Sequence, residues 1–245
     1  MTPWQIMQTL RYKGTRDPFF ANVRFLLHFD DPANPQIFPD VIGNTWVHQT
    51  PGSDITNLQV SNTQAAVSSA GSLRVKSAGG TSSDYTLSAS PPIGGNYSMG
   101  AGNLFTLEGW IWWTGDINSR LGLASVYNSI SGEIIAIKFN TTNQFRFFTA
   151  FGSNHDGFVN PPLNQWVHLA MTYDGTTKYW FVNGVLQGSV ATGAGATQTI
   201  ATYLMQSVAS GGNPPYAYTD DVRFTVGVCR YTSNFSVPTA PYPNS

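Results

Sequence analysis

The stretch DDVRFTVGVCRY (Asp220–Tyr231) joins two adjacent carboxylates to an alternating run. In an extended chain Val222, Phe224, Val226 and Val228 share one face, and Asp221, Arg223, Thr225 and Gly227 share the other. An apolar face opposite a polar one predicts a β-strand packed on a core. The aspartates can be read as an active site, a metal site or the anchor of that strand. Neighbouring side chains on a strand diverge, whereas a glycosidase needs two carboxyls facing each other across about 5–10 Å of substrate. The spacing therefore argues against a catalytic pair.

The same kind of run recurs along the chain. VRFLLHF (Val23–Phe29), FTLEGWIWW (Phe105–Trp113), EIIAIKF (Glu133–Phe139), QFRFFTAF (Gln144–Phe151), WVHLAMTY (Trp166–Tyr173), KYWFVNG (Lys178–Gly184) and DVRFTVGV (Asp221–Val228) all read as strands. DGTT (Asp174–Thr177) and the centre of FNTTNQF (Phe139–Phe145) predict hairpin turns, since Asn, Asp and Gly tolerate left-handed backbone. Helical periodicity is almost absent, so no crossover helices support a parallel sheet and an antiparallel sandwich is expected. In Phe105–Trp113, Glu108, Trp110 and Trp112 share one face, and Leu107, Ile111 and Trp113 the other. Both faces are largely apolar, which predicts a strand between two packed layers. Trp110 and Trp166 are expected in the core.

Composition narrows the function. Of 245 residues, 41% are hydrophobic and only 10% charged, against about 25% charged in a typical soluble domain. Asn, Gln, Ser, Thr and Gly must cover the surface. A net charge of −1 leaves no nucleic-acid footprint at the whole-chain level. Cys229 is the single cysteine, so no intrachain disulfide forms, and its place in an alternating run suits a small filler residue. The start, MTPWQIMQTLRYKGTR, lacks the continuous apolar segment of a secretory signal, and no apolar run approaches the ~20 residues of a membrane span. A protein acting outside a cell without such a leader would leave by another route, such as release with a virus particle.

Two terminal segments differ from the body. Residues 1–21 carry Arg11, Lys13 and Arg16 against the single Asp17 and read as an arm preceding a globular domain of residues 22–245. The tail PTAPYPNS (Pro238–Ser245) reads as a proline-rich exit along the surface.

Several landmarks fall in a familiar order: LLHFDD (Leu26–Asp31), FPDVIGNTW (Phe38–Trp46), GSLRV (Gly71–Val75), SDYTLSASP (Ser83–Pro91), FTLEGWIW (Phe105–Trp112), WVHLAMTYDGTTKYWFVNGV (Trp166–Val185) and TDDVRFTVGVCRYTSNFSVPTAPYP (Thr219–Pro243). Over residues 23–243 the chain resembles the laminin-G-like, concanavalin-A-like jelly-roll domains, most closely those carried by structural proteins of tailed bacteriophages. The resemblance implies an all-β, antiparallel two-sheet jelly-roll sandwich with a short N-terminal arm. It implies that one of Asp220 and Asp221 accepts loop N–H bonds near the start of the domain while the other pairs with Arg223. It also implies a non-enzymatic virion component, a capsid decoration or tail-associated adhesion subunit, whose arm docks on other virion proteins or sister subunits.

Some relatives of this kind bind calcium at a sheet edge, which makes Asp30, Asp84 and Asp221, with Asp31 nearby, candidate oxygen ligands, although no calcium-loop pattern occurs in the chain. No other cofactor is expected. The superfamily also holds glucanases with an E-x-D-x-x-E strand. Here only Glu108 and Glu133 are present and not at that spacing, and the nucleophile-elbow, P-loop and zinc-helix patterns are missing, so no enzyme is expected. His168 reads as a strand residue with a hydrogen-bond partner. The alternative to the virion role is a lectin-like module for host-surface glycans. Sugar sites combine an exposed aromatic with loop donors and acceptors, and SVYNSISG (Ser125–Gly132), FGSNHDGF (Phe151–Phe158) and ASGGNPPYAY (Ala209–Tyr218) have that composition. Tyr127, His155, Asp156 and Tyr216 are the residues to test; ordinary polar turns of a charge-poor protein would look the same.

Overall fold

The computed structural model describes residues 16–48, 56, 58–67, 69–75, 87–89, 96–98, 103–114, 122–128, 132–139, 144–149, 157–191, 197–204 and 217–245. A 3-10 turn at Phe20–Asn22 leads into β1 (Val23–Leu27), β2 (Trp46–His48), β3 (Leu58–Ser61), β4 (Ser72–Val75), β5 (Leu87–Ala89), β6 (Asn96–Ser98), β7 (Phe105–Trp113) and β8 (Gly122–Asn128). Then follow β9 (Gly132–Phe139), β10 (Phe145–Thr149), β11 (Gly157–Val159), β12 (Val167–Tyr173), β13 (Thr177–Val182), β14 (Val185–Ala191), β15 (Thr197–Leu204) and β16 (Ala217–Val226).

These strands form two antiparallel sheets, the expected sandwich. The first runs β14-β13-β12-β7-β16-β4-β3, with β1 also on β16; the second runs β11-β10-β9-β8-β15-β5-β2, with β6 also on β15. Inward side chains of both sheets make one core, including Phe25, Leu107, Ile111, Leu169, Met171 and Phe224 from the first sheet and Val126, Ile135, Ile137, Phe145 and Phe147 from the second. Trp113 meets Phe145 edge-on across the layers at 5.7 Å. Burying rings of this size dominates the energetics of a sandwich.

A third layer covers the first sheet. The tail Pro238–Ser245, expected on the surface, runs over the outer face of the first sheet and buries Tyr242 against Val23 and Leu26. Upstream, Thr106 Oγ1 and Thr172 Oγ1 donate to the carbonyls of Val228 and Tyr231, and Tyr231 stacks on Phe235 at 3.6 Å. This cover explains why β7 is buried on both faces. It also places Trp110 outside the inter-sheet core, edge-on to His168 at 5.2 Å, while Trp166 is only half-buried. Asp17, in the segment read as an arm, is buried against the body, and its N–H donates to the Ser245 carbonyl at 2.6 Å.

The β13–β14 hairpin turns on Asn183–Gly184, both at positive φ (49° and 75°), as a two-residue turn of this hand requires. Asn183 Oδ1 accepts the His168 N–H at 2.9 Å, and the Gly184 carbonyl accepts the Phe235 N–H at 2.9 Å. The hairpin is thus bolted to β12 on one side and to the tail on the other.

Candidate functional site

Asp220 and Asp221 sit where β16 changes partners. Ala217–Thr219 pair with β4, whereas Val222–Thr225 pair with β1. Between these runs the register with β7 shifts by a bulge from Asp220 to Arg223, with Asp221 at φ 47°. Gly109 faces the bulge: a Cβ there would lie 3.2 Å from the Val222 Cα. Each carboxylate ties down what adjoins one of the two partner strands. Asp220 Oδ2 lies 3.2 Å from the Ala66 N–H and 2.5 Å from Ser69 Oγ, in the loop between β3 and β4, and Oδ1 accepts the Asp221 N–H. Asp221 Oδ1 faces His28 Nδ1 just past β1, and its Oδ2 accepts the Tyr242 N–H at 3.0 Å.

Burial pushes the Asp220 carboxyl up to about 8, with the Asp221 charge adding to it, against the hydrogen bonds it receives. The bonding count agrees with a protonated Asp220. Ser69 Oγ has one proton and lies within bonding distance of the Ala66 and Gly71 carbonyls as well as Asp220. A proton on Asp220 Oδ2 donated to Ser69 Oγ leaves the serine proton for a carbonyl. Burial alone would lower the pKa of His28, but the Asp221 carboxylate outweighs it and raises it, and His28 Nε2 lies 2.7 Å from Asn244 Oδ1. An imidazolium matches both acceptors.

Arg223 does not pair with either aspartate, contrary to expectation. Its Nε and Nη2 donate to Glu108 Oε1 at 3.1 and 2.7 Å, and its Nη1 to Asp17 Oδ2 at 3.0 Å. Glu108 is its direct cross-strand neighbour on β7. Arg230 donates to both Asp17 oxygens, at 3.1 and 2.7 Å, and the Tyr231 hydroxyl to Glu108 Oε2 at 3.0 Å. Two cations thus face two carboxylates beneath the tail. Burial would raise both acids, but Arg223 and then Arg230 hold Glu108 below its ordinary value, and Arg230 and then Arg223 do the same for Asp17. His168 Nε2 lies 2.8 Å from the Tyr242 hydroxyl, and burial lowers this imidazole to about 4, so it is neutral. Glu108 is engaged by these bonds.

Of the calcium candidates, Asp221 and Asp30 are engaged within the protein. Both Asp221 oxygens are engaged as described, Asp30 Oδ1 accepts the Ala70 N–H at 3.1 Å, and Asp84 lies outside the described residues. Among the described residues no three His, Cys, Asp or Glu side chains gather to hold a metal. A recess of about 220 Å³ is lined by His28, Phe29, Asp30, Asp31, Pro39, Asp40 and Val41. Its Asp31 is bonded to Asn34 and its Asp40 to Leu26, Ile42, Asn44 and Trp46.

The outer face of the second sheet offers a different chemistry. On β10, Phe145, Phe147 and Thr149 point inward, and Arg146 and Phe148 outward. Phe158 on β11 lies opposite Arg146, which lies opposite Lys138 on β9, so the three share one row of that face. Phe158 is 44% exposed. In the adjoining row, Phe148 lies beneath the Arg146 guanidinium at 4.6 Å and the Lys138 ammonium at 5.4 Å. Lys138 itself is buried, so the part of this face open to solvent is the Phe158 ring beside the half-buried Arg146 and Phe148, which can take an apolar C–H surface and hydroxyl groups together.

Of the glycan candidates named from sequence, Tyr127 lies on β8 rather than in a loop, its backbone opposite Glu133 and Ala201. His155, Asp156 and Tyr216 lie outside the described residues. Sequence composition pointed to loops; the alternation of QFRFFTAF groups Arg146 with Phe148 without saying which face is solvent.

Comparison with known proteins agrees with this fold. A family model of the laminin G type, described as the concanavalin A-like lectin/glucanases superfamily, matches residues 80–227. No curated protein matches the sequence. Among solved structures, the chain is similar to the binding domain of Paraclostridial mosquitocidal protein 1, with a TM-score of 0.59 and 13% identity over 90% of this chain and 51% of that one. It is similar to the ligand-binding domain of botulinum neurotoxin serotype D in complex with N-acetylneuraminic acid, at 0.58 and 9% over 89% and 50%. It is also similar to the Trypanosoma rangeli sialidase in complex with sialic acid, at 0.54 and 13% over 84% and 31%. The chain spans about half the length of the toxin domains and about a third of the sialidase. At these identities the likeness is one of fold. The family match covers more than half of the chain, which therefore belongs to the concanavalin A-like lectin/glucanases superfamily, in its laminin-G form.

Proposed function

We propose that this chain is a lectin-like carbohydrate-binding module and that it binds glycans on the outer face of its second sheet. The exposed Phe158 ring opposite the half-buried Arg146 guanidinium, with Phe148 beside it, carries the reading, because it joins an apolar ring to N–H donors on paired strands. Rigid strands hold such groups in place at little entropic cost. The fold is compatible with this role, since the neurotoxin and sialidase structures named above each hold a sialic acid. The virion role expected from sequence draws no support from these relatives.

The test is a glycan array probed with the full chain, with neutral and sialylated glycans and with and without calcium. Binding to a defined glycan set supports the reading. A folded chain, verified by circular dichroism, that binds none of them overturns it.

A further inference from the structure

We propose that the outer face of the first sheet carries a second binding site, which takes an acidic sugar with its anionic group on Arg74 and its C–H face on Trp112. The inference shares with the proposed function the reading of the chain as a carbohydrate-binding module, and assigns a different face to it. Register assembles the site. Gln59 on β3 lies opposite Arg74 on β4, Arg74 opposite Tyr218 on β16, and Tyr218 opposite Trp112 on β7. Their chain neighbours Leu58, Val75, Ala217 and Trp113 lie in the core, so the four side chains of this row point the other way. Trp112 meets Tyr218 edge-on at 5.3 Å. Trp112 and Arg74 flank Tyr218 on either side, about 10 Å apart by strand spacing, close enough for ring and guanidinium to touch one ligand together.

Arg74 is the charge that asks for a partner. Its side chain is half-buried, its Nε is buried, and among the described residues it forms no hydrogen bond or ion pair. Arg223 and Arg230, beneath the tail, each meet carboxylates. A guanidinium withdrawn from water without a partner is costly, so an anion from outside the chain fits here. Asp220, two positions beyond Tyr218, does not serve: its oxygens are engaged by Ala66, Ser69 and the Asp221 N–H.

The rings supply the rest. Trp112 is half-buried, with Trp110 on the same face of β7 and the half-buried Trp166 just before β12. The Nε1 atoms of Trp110, which is 8% exposed, and of Trp166 are buried and have no hydrogen-bond partner among the described residues. The face thus presents indole rings and N–H donors. A sugar brings C–H groups that pack on a ring and oxygens that accept hydrogen bonds, and an acidic one adds the planar anion that matches the fork of an arginine. The tail reaches His168 through Phe235 and the Tyr242 hydroxyl. Among the described residues it makes no hydrogen bond or ring contact with Trp112 or Arg74.

Titration calorimetry of the full chain tests the site, with sialyllactose and a glucuronate-bearing tetrasaccharide as acidic probes and lactose and the carboxyl-reduced tetrasaccharide as their neutral counterparts. An acidic probe is expected to bind about tenfold more tightly than its counterpart, and the probe that does so identifies the kind of acid. Arg74→Gln is expected to remove that preference, and Trp112→Ala to weaken the acidic probe about tenfold. Arg74→Lys keeps the charge without the fork and is expected to retain part of the preference, which a variant damaged in its fold would not do. Acidic probes that bind no better than neutral ones, or a preference that survives Arg74→Gln, overturn the proposal. If the glycan array is positive, that result leaves the carbohydrate reading standing; a chain that binds no glycan at all overturns both.

Discussion

The guanidinium of Arg223 lies against the ring of Tyr242, 3.7 Å from carbon to centroid, and so closes a buried ionic cluster under the C-terminal tail. One face of the guanidinium meets this ring while its edges donate to Glu108 and Asp17. Arg223 is among the largest fully buried side chains in the protein. A buried pair of this kind adds little over an apolar pair of the same shape, but breaking it on one side leaves a charge stranded.

Arg223→Met should therefore cost about 3–5 kcal/mol, measured by urea unfolding, because Glu108 is left buried with its main partner gone. Arg223→Met combined with Glu108→Gln should cost less than the sum of the two single changes. Strict additivity would show that the pair is not coupled.

Asp17 carries the counter-charge for Arg230 as well as for Arg223. Asp17→Asn should lower stability by about 3 kcal/mol, the lower end for breaking a buried pair. Removing residues 1–21 should cost at least as much, measured by thermal unfolding. A truncation meant to probe the arm must therefore stop short of Asp17.

Asp220 and His168 should make stability depend on pH in opposite directions, offsetting one another between about pH 4 and 6.5 and leaving a net decline from there toward 8. The pKa of Asp220 is raised to about 8 in the fold, so its contribution is full below its unfolded value near 3.8 and is lost as pH rises toward 8. His168 is lowered from 6.5 to about 4, so its contribution is present above 6.5 and is lost as pH falls toward 4. Asp220→Asn keeps a neutral side chain, and because its amide nitrogen must face the N–H of Ala66 or of Asp221 it should also lower stability at every pH. It should remove the decline toward pH 8 and expose the acid limb set by His168, as measured by urea unfolding across the pH range.

Gly184→Ala should destabilise by about 2 kcal/mol or more, since its Cβ would sit 2.1 Å from the Phe235 carbonyl oxygen at a φ of +75°. Thermal unfolding measures this. The loss should be larger than for alanine at Gly43, which has φ +91° but open space around it.

Phe158→Ala should weaken glycan binding about tenfold, equivalent to about 1.4 kcal/mol, with an unchanged melting temperature. The ring is 44% exposed and contributes little to the core. Titration calorimetry against the glycan selected by the array, together with a melting curve, separates the two effects.

The sequence by itself determined the sandwich. Period-two alternation and Asn/Gly turns are local properties, so FTLEGWIWW, WVHLAMTY and KYWFVNG could be read as strands, and the burial of both faces of Phe105–Trp113 announced a third layer. The alternation also showed that Asp220 and Asp221 diverge. What covers the third layer was not legible, because PTAPYPNS is polar and proline-rich and gives no local sign that Tyr242 is buried. Nor was the partner of Arg223: the acids nearest in sequence are Asp220 and Asp221, but the bulge turns them to the β3–β4 loop and to His28, while Glu108, 115 positions away, stands directly across the strand pair. Only tertiary structure decided that, since a cross-strand neighbour is set by register between distant segments. The same holds for the glycan face, where Phe158 and Arg146 come from different strands and become neighbours only when the sheet forms.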